Sequence, residues 1–261
     1  MKNDFEVITH KFDDDIIIYP ISDVHLGAAE HLTKEWKSFC NYVLEQPNVY
    51  LTLGGDLINN ATRSSVSNVF EETMRPREQK KAMAEMLSPI KSRILCAVSG
   101  NHENRSLKDA DDDPTYDIMC KLDLEHLYRP NMAFVKILIG DRGEANPSHP
   151  RSSYHFGVIH GAGGGTTGAA INRNEKFGTI IDGLDCLIVG HTHKGAMTKP
   201  GKLVFDSRNS MVTKKGFAVV VSVPWLEYGG YALRGQLTPS VSGDPQIIRL
   251  ARRPKKLTLV W

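Results

Sequence analysis

The chain has few features that would tie it to a membrane or an oxidising compartment. Its 261 residues include only four cysteines, Cys40, Cys96, Cys120 and Cys186, whose scatter predicts buried reduced thiols rather than a disulfide framework. No apolar run approaches the roughly 18 residues of a membrane span, and the first five residues lack the apolar region of a secretion signal. The net charge of +2 favours no class of partner. We therefore expect a cytoplasmic protein with no membrane partner, and the oligomeric state stays open.

Five short polar motifs stand out instead, each directly after an apolar run. The runs are 16–19, 49–53, 94–98, 156–159 and 186–189. The motifs are Asp23-Val24-His25-Leu26-Gly27, Gly54-Gly55-Asp56, Gly100-Asn101-His102-Glu103, His160-Gly161 and Gly190-His191-Thr192-His193. Short runs rich in Ile and Val, bounded by Gly and polar residues, predict buried strands. Because ligands in open α/β sheets bind beyond the carboxyl ends of the strands, we expect all five motifs to meet at one rim.

These motifs offer Asp, Asn and His side chains and no cysteine, a donor set that suits Mn²⁺, Fe, Zn²⁺ or Co²⁺. The candidate ligands are Asp23, His25, Asp56, Asn101, His160, His191 and His193. These seven ligands are too many for one metal ion, so they predict a pair of ions bridged by a carboxylate and a hydroxide. Two-metal sites hold their ions about 3.5–4 Å apart, and the bridging water becomes the nucleophile of an in-line displacement. The net positive charge of such a site would attract a phosphate.

The order D-x-H, G-G-D, G-N-H-E, H-G and G-H-T-H resembles the calcineurin-like metallophosphoesterases, roughly from Ile16 to His193. The resemblance implies an α/β fold, a four-layer α/β/β/α sandwich of two mixed sheets flanked by helices, and two divalent ions, with Mn²⁺ favoured and Fe, Zn or Ni as alternatives. The family often has Gly before the fourth-motif His, whereas Ile159 stands here. His155 therefore competes with His160 for that role.

The resemblance also assigns roles to the site residues. It implies that Asp23, His25 and His193 bind one ion, that Asn101, His160 and His191 bind the other, and that Asp56 bridges both. It implies that His102 binds no metal but faces the substrate, where it protonates the leaving oxygen or stabilises the transition state, as an imidazole can near neutral pH.

Residues 1–261 are expected to form one domain, since this length and an apolar content of 41% are ordinary for a single α/β unit. An amphipathic pattern predicts a helix over 33–46, capped by Thr33 and ended by Pro47, with a buried face of Trp36, Phe39, Cys40, Val43 and Leu44.

Other helices and strands follow from local signals. Residues 62–93 predict an insertion of two helices, the second starting near Pro76, and Asp113 and Pro114 predict a helix to about Leu122. A further helix is expected over 169–177, and 141–153 as a loop. The segment 202–261 predicts strands that complete a second sheet, at 203–205, 216–223, 228–233, 246–250 and 257–260.

The substrate is the least determined property. Gly55-Asp56-Leu57-Ile58-Asn59 departs from the Gly-Asp-x-Val-Asp-Arg-Gly of the protein phosphatases. Basic segments at 62–93 and 252–256 favour a phosphodiester of nucleic acid, DNA or RNA, or of nucleotides. A small phosphomonoester or a cyclic nucleotide is the alternative, and an inactive binding subunit is the third. Expected substrate contacts are Asn59, Arg105, Gly163, Gly164, Gly165 and Asn172.

Overall fold

The structure, a computed structural model, describes residues 4–63, 65, 69–140, 151–163 and 167–261. Most of the predicted loop 141–153 and the predicted substrate contacts Gly164 and Gly165 lie outside these residues. Within the described ranges, no helix is both long and apolar enough to span a bilayer.

Strands and helices alternate along most of the chain. The strands are β1 (Val7–Phe12), β2 (Ile16–Ile21), β3 (Val49–Leu53), β4 (Ile94–Val98), β5 (Tyr128–Arg129), β6 (Met132–Ile139), β7 (Ser152–Ile159), β8 (Cys186–Val189), β9 (Ala196–Thr198), β10 (Gly201–Asp206), β11 (Met211–Gly216), β12 (Ala218–Val221), β13 (Ile247–Ala251) and β14 (Lys256–Val260). The helices are α1 (Thr33–Glu45), α2 (Pro76–Leu87), α3 (Glu103–Ala110), α4 (Pro114–Lys121), α5 (Thr167–Thr179) and α6 (Gly230–Arg234). Three 3₁₀ segments join them: Val69–Glu71, Ser88–Arg93 and Glu125–Leu127.

Two mixed six-stranded sheets form the centre of the molecule. One has the order β1-β6-β7-β8-β12-β9, and the other β14-β13-β2-β3-β4-β5. Helix α4 packs on β4 and β5 of the second sheet, α2 packs on α4, and Phe39 of α1 contacts Tyr19 of β2, while α5 packs on β8 and β12 of the first sheet. This arrangement confirms the predicted four-layer α/β/β/α sandwich of two mixed sheets.

The strands that precede the motifs are mostly apolar because both of their faces are largely buried near the motifs. In β8, Cys186 and Ile188 face the main core, whereas Leu187 and Val189 face a smaller core shared with Phe177 of α5. A strand covered on both faces has no polar side, so its sequence shows a continuous apolar run rather than alternation. All five predicted strands before the motifs are present.

The motifs meet at one rim, as predicted, and that rim is built from the strand ends of two sheets. Strands β2, β3 and β4 run parallel in one sheet, and β7 and β8 run parallel in the other. Their carboxyl ends lie on the same side, and Gly190 N of one sheet's loop donates to the His160 carbonyl there. The two sheets therefore contribute three and two motifs to a shared edge.

The C-terminal strands divide between the sheets, so the prediction that they complete a second sheet is wrong. β12 pairs with β8, and β13 pairs antiparallel with β2. β10 and β11 pair only with each other, among the described residues. Strand pairing joins residues far apart in sequence, so local patterns do not reveal the partner.

Three local predictions were also wrong. The short helix α6 replaces most of the predicted strand 228–233, and Leu233 N donates to the Gly229 carbonyl as in a helical turn. Thr33 does not cap α1: its hydroxyl donates back to the His31 carbonyl. Leu44 is 52% exposed, because α1 turns that side toward solvent.

The insertion at 62–93 also differs from its prediction. Its described part has one α-helix, α2, flanked by two 3₁₀ segments, instead of two α-helices. α2 does begin at Pro76, and α4 does begin at Pro114, with the Asp113 carboxylate accepting from Tyr116 N. Proline suits a first helical turn because its missing N–H would have no helical partner there.

Candidate metal centre

The five motifs bring their polar side chains together at the shared rim. Among the described residues, ligand atoms lie within 4.8 Å of one another in three groups: Asp23 with His25 and His193, His25 with Asp56 and His102, and Asp56 with His160 and His191. Asp23 and Asp56 are buried, whereas His193 keeps a side-chain exposure of 37%. The cluster is thus closed below by the strands and open toward solvent.

Backbone conformation helps to aim these side chains. A left-handed φ is found at five of the predicted ligands: Asp23 (55°), His25 (50°), Asp56 (50°), His191 (70°) and His193 (53°). Non-glycine residues adopt this region rarely, and it costs about 1–3 kcal/mol at each position. Such a concentration of strained residues is typical of a functional site held by its surroundings.

Two glycines in the motifs are required by close approach. A Cβ on Gly100 would collide with the Asp56 carboxylate, and a Cβ on Gly190 would collide with the hydroxyl of Ser22. Any larger residue would push apart the strand ends that carry the site. The glycines therefore keep the two sheets' loops within reach of one another.

Three imidazoles are oriented in the same way. Nδ1 of His160 donates to the Gly54 carbonyl (2.8 Å), Nδ1 of His102 to the Asn59 carbonyl (2.7 Å), and Nδ1 of His25 to Oδ1 of Asn59 (3.2 Å). Since these oxygens only accept, the proton of each neutral ring sits on Nδ1. Each Nε2 then directs its lone pair toward the centre, which is how metal-binding histidines are usually held.

The donor atoms converge in two sets. In the first, Nε2 of His193 is 3.1 Å from Oδ1 of Asp23 and 3.2 Å from Nε2 of His25. In the second, Oδ1 of Asn101 is 2.9 Å from Nε2 of His160 and 2.6 Å from Nδ1 of His191. Ligands bound at about 2.0–2.1 Å around one ion lie about 3 Å from one another. Both sets therefore fit a divalent cation.

Asp56 lies between the two sets. Its Oδ2 is 3.3 Å from Nε2 of His160 and 3.7 Å from Nε2 of His25. Burial alone would raise the pKa of this carboxyl, but the neighbouring imidazoles, His160 first, hold it well below its usual range. Burial likewise opposes protonation of His160, yet Asp56 raises the pKa of that imidazole to about 10. The buried carboxylate thus strongly favours positive charge beside it.

The chain's similarity to known proteins agrees with this geometry. Residues 18–195, more than half of the chain, match the family model of the calcineurin-like phosphoesterases. The chain belongs to the calcineurin-like phosphoesterase family. No curated protein is significantly similar to it in sequence. Members of the family typically depend on two metal ions, and this phosphoesterase has candidate ligand groups for them.

Two solved structures resemble this family member at low sequence identity. A metallophosphoesterase from Sphaerobacter thermophilus is 15% identical, with 94% of this chain and 87% of that chain covered and a TM-score of 0.40. The calcineurin-like phosphoesterase YfkN from Bacillus subtilis is 13% identical, with 94% and 90% covered and a TM-score of 0.41. The family assignment rests on the family model.

Only some of the predicted substrate contacts lie beside the cluster. Both ends of the Asn59 amide are engaged, Oδ1 with His25 and Nδ2 with Glu72. Arg105 reaches the Asn59 carbonyl at 3.5 Å and is only partly buried, so it borders the cluster. Asn172 is exposed on α5, and Gly163 lies under the Arg173 guanidinium. The competitor His155 is far from the cluster: it is exposed on β7, and its Nδ1 contacts the Gly183 carbonyl.

Sequence reasoning missed the residues that support the ligands from behind. Glu103 is buried, and its carboxylate accepts from the backbone N–H groups of Asp56 (2.9 Å), Leu57 (2.7 Å), Ile58 (3.2 Å) and Gly100 (3.0 Å). It therefore ties the loop after β3 to the loop after β4. Its place three residues after Gly100 was the available signal, since a Glu at this spacing often accepts from a helix start.

A second supporting group, Glu72 and Gln79, comes from the insertion. Glu72 accepts from Asn59 Nδ2 and from Gln79 Nε2, while Gln79 Oε1 accepts from Asn60 N. Thr73 N in turn donates to the Gly27 carbonyl. No sequence motif marks these residues, because they contact the site only through long-range folding.

Proposed function

We propose that this phosphoesterase hydrolyses a phosphodiester of a nucleotide or nucleic acid with two divalent metal ions. Asp23, His25 and His193 would hold one ion, Asn101, His160 and His191 the other, and Asp56 both. The observation that carries the proposal is the convergence of these donor atoms in two sets with Asp56 between them. When bound, the ions supply charge stabilisation and an activated water.

The donor chemistry guides the choice of metal. Carboxylate, amide and imidazole ligands without any thiolate suit a first-row divalent ion of intermediate softness, and Mn²⁺ is the one we propose, with Fe, Zn or Ni as alternatives. Cys96 and Cys186 are buried inside β4 and β8, two of the strands that lead to the site, and contribute no ligand.

His102 is placed to serve the leaving group. Its Nδ1 is held by the Asn59 carbonyl, and its Nε2 points to the cluster, 3.8 Å from Oδ2 of Asp56. Once it also carries a proton on Nε2, a ring so anchored can give that proton to an oxygen that leaves from the same side as the cluster. Burial lowers the pKa of His102 below its ordinary 6.5, so the imidazolium is a strong acid when it forms. His102 is therefore proposed as the catalytic acid, or as a donor that stabilises the transition state, and not as a ligand.

Charge favours a small diester. Two divalent ions with two carboxylates and a hydroxide leave one positive charge, which matches the single negative charge of a phosphodiester better than the two of a monoester. The basic residues are divided between the two ends of the strands. Lys91 and Arg93 precede β4, and Arg252 to Lys255 form the turn between β13 and β14, both at the amino ends. The start of α2, with Arg75, is nearer the site, because Glu72 and Gln79 contact the loop after β3. Since part of the basic residues lies away from the site, we favour a nucleotide-sized substrate over a nucleic-acid backbone that follows all of these segments.

The test is hydrolysis by the Mn²⁺-loaded protein of bis-p-nitrophenyl phosphate, p-nitrophenyl phosphate, cyclic nucleotides, and end-labelled DNA and RNA. Asp56→Asn serves as the inactive control. Faster cleavage of the diester than of the monoester, lost in Asp56→Asn, would support the proposal. A preference for the monoester would refute the diester, and absence of cleavage with two ions bound would favour a binding subunit.

A further inference from the structure

The hairpin of β10 and β11 has an unusually apolar exposed face. Leu203, Phe205 and Val212 lie on one side of it, with Phe205 directly opposite Val212 in the register. Their exposed fractions are 77%, 88% and 48%. Two strands alone are marginally stable in water, and large exposed apolar side chains in one patch mark an interaction surface.

The same hairpin is strongly basic. Residues 199–216 contain five basic residues and one acidic residue, Asp206. Lys214 shares the apolar face, since it pairs with Leu203, and Arg208 is exposed in the turn at the hairpin's tip, whereas Lys215 pairs with Lys202 on the other face. Lys202 pairs at 2.9 Å with Asp182 of the body, and this contact anchors the base of the hairpin. The surface therefore combines an apolar centre with a cationic margin.

The chemistry of this face selects among partners. A second copy docked on this face would bring like charges together. It would also bury only three apolar side chains, a much smaller area than the roughly 800 Å² per partner of a stable interface. A nucleic acid would use the phenyl ring for stacking but would gain little from Leu203 and Val212. An anionic lipid surface matches both features, because apolar side chains enter the acyl boundary while lysines meet the headgroups.

We propose that the β10–β11 hairpin docks this protein on an anionic membrane surface. Docking of this kind needs no membrane-spanning segment. It therefore agrees with the observation that no apolar run of the chain is long enough to span a membrane. The hairpin leaves the body between Thr198 and Ala218, and Ala218 pairs with Cys186 at the amino end of β8. The metal-site motifs follow the carboxyl ends, so docking would leave the metal centre at the opposite end, free for a soluble substrate.

The experiment is sedimentation of the purified full chain with vesicles of phosphatidylcholine alone or mixed with phosphatidylglycerol. We expect binding to the anionic vesicles that weakens with salt. Leu203→Ser with Phe205→Ser should lower the partition coefficient about tenfold or more, and Lys214→Glu should lower it about fivefold or more. Leu44→Ser, at an exposed leucine on α1, should bind as the parent does. All variants should keep the parent's thermal unfolding and its turnover of soluble substrate.

Several results would overturn the proposal. They are no binding of the parent to anionic vesicles, equal binding of the hairpin variants and the parent, or equal binding to neutral vesicles. Light scattering that shows a dimer dissolved by the Leu203 and Phe205 changes would assign the face to a second copy. Binding of single-stranded oligonucleotide, lost in the same variant without any vesicle binding, would assign it to nucleic acid. None of these readouts depends on the proposed phosphodiesterase activity.

Discussion

At the scale of single residues, the candidate metal centre is supported by a buried carboxylate outside the proposed ligand set. Glu103 accepts four backbone N–H groups from two loops, one carrying Asp56 and the other Asn101 and His102. Burial, and then the nearby Asp56, raises the pKa of Glu103 to about 7. Burial of this carboxyl group is unfavourable by itself. We infer that its role is to keep the two loops in a fixed geometry.

Replacing Glu103 by Gln should therefore loosen the site. The amide would turn an NH₂ group toward backbone N–H donors, leaving them unpaired at a cost of about 1–3 kcal/mol. Metal affinity should fall about 10–100-fold, the usual effect of removing support behind a ligand. Metal titration followed by calorimetry measures this. Glu85→Gln, at an exposed glutamate, is the matched control, and equal affinities in the two variants would contradict the role of Glu103.

Asp56→Asn should weaken both ion sites at once. Its Oδ2 faces both sets of ligands, and an amide has only one oxygen and no charge. We expect fewer than two ions per chain after dialysis, by elemental analysis, and no activity. The exposed Asp123 provides a control Asp→Asn change that should retain both ions. Two tightly bound ions in Asp56→Asn would exclude a bridging role.

His102→Ala should separate catalysis from metal binding. The side chain lies beside the cluster but is assigned no ion, so both ions should remain bound. Turnover should fall by roughly 10²–10⁴, the range for loss of a general acid. Metal content and kcat, measured on the same sample, test this, with His155→Ala on the exposed face of β7 as control. Loss of an ion in His102→Ala would show that His102 is a ligand instead.

At the scale of elements, helix α1 supports the site through aromatic contacts of Trp36 and Phe39 with Trp225. Trp36 is fully buried and packs edge-on against Trp225 at 5.0 Å, and Trp225 N donates to the Asp23 carbonyl. The amphipathic pattern revealed the buried face of α1, apart from Leu44, but not the partner of that face. The helix thus braces the segment on which a predicted ligand sits.

Trp36→Ala should cost about 3–5 kcal/mol in the free energy of unfolding, because it leaves a large cavity between α1 and Trp225. Leu44→Ala on the same helix should change it by less than about 0.5 kcal/mol, since Leu44 is already exposed. Urea unfolding followed by tryptophan fluorescence and circular dichroism compares the two. A similar small loss in both variants would mean that α1 packs differently.

At the scale of the whole molecule, the two sheets are joined by a titratable contact away from the site. Nε2 of His10, on β1 of one sheet, lies 2.8 Å from the Leu95 carbonyl on β4 of the other. The register of β3 and β4 shifts beside Leu95, since Leu51 pairs with Ile94 and Thr52 with Cys96. That irregularity leaves the Leu95 carbonyl available to His10.

Protonation of His10 should weaken the fold. Burial lowers the pKa of His10 below its ordinary 6.5, against the opposing effect of the Leu95 carbonyl. The unfolded chain therefore binds a proton at higher pH than the folded one. The stability contribution is complete above about pH 6.5 and is lost as the pH falls through the lower folded-state pKa.

The comparison of interest is between the parent and His10→Gln, whose amide can still donate to Leu95 but does not titrate. Free energies of unfolding measured from pH 7.5 to 5 should fall more steeply in the parent. The difference between the two curves isolates His10 from the site histidines. Parallel curves would show that His10 keeps its ordinary pKa in the folded protein.

The sequence by itself determined the five strands before the motifs, the motifs themselves and hence the family, because each depends on residues adjacent in the chain. An apolar run such as 186–189, followed by Gly190, carries its own signal. Likewise Pro76 and Asp113 marked helix starts through local hydrogen bonding. These predictions needed no knowledge of which strand lay beside which.

Only the tertiary structure decided how the pieces combine. It divided the motifs between two sheets, moved β13 beside β2, placed Glu103 and Glu72 behind the ligands, and left Leu203 and Phe205 exposed on a free hairpin. Each of these facts depends on contacts between residues far apart in sequence. Such contacts are fixed by the packing of the whole core. The free energy of that packing depends on many distant residues, so it cannot be read from a short segment.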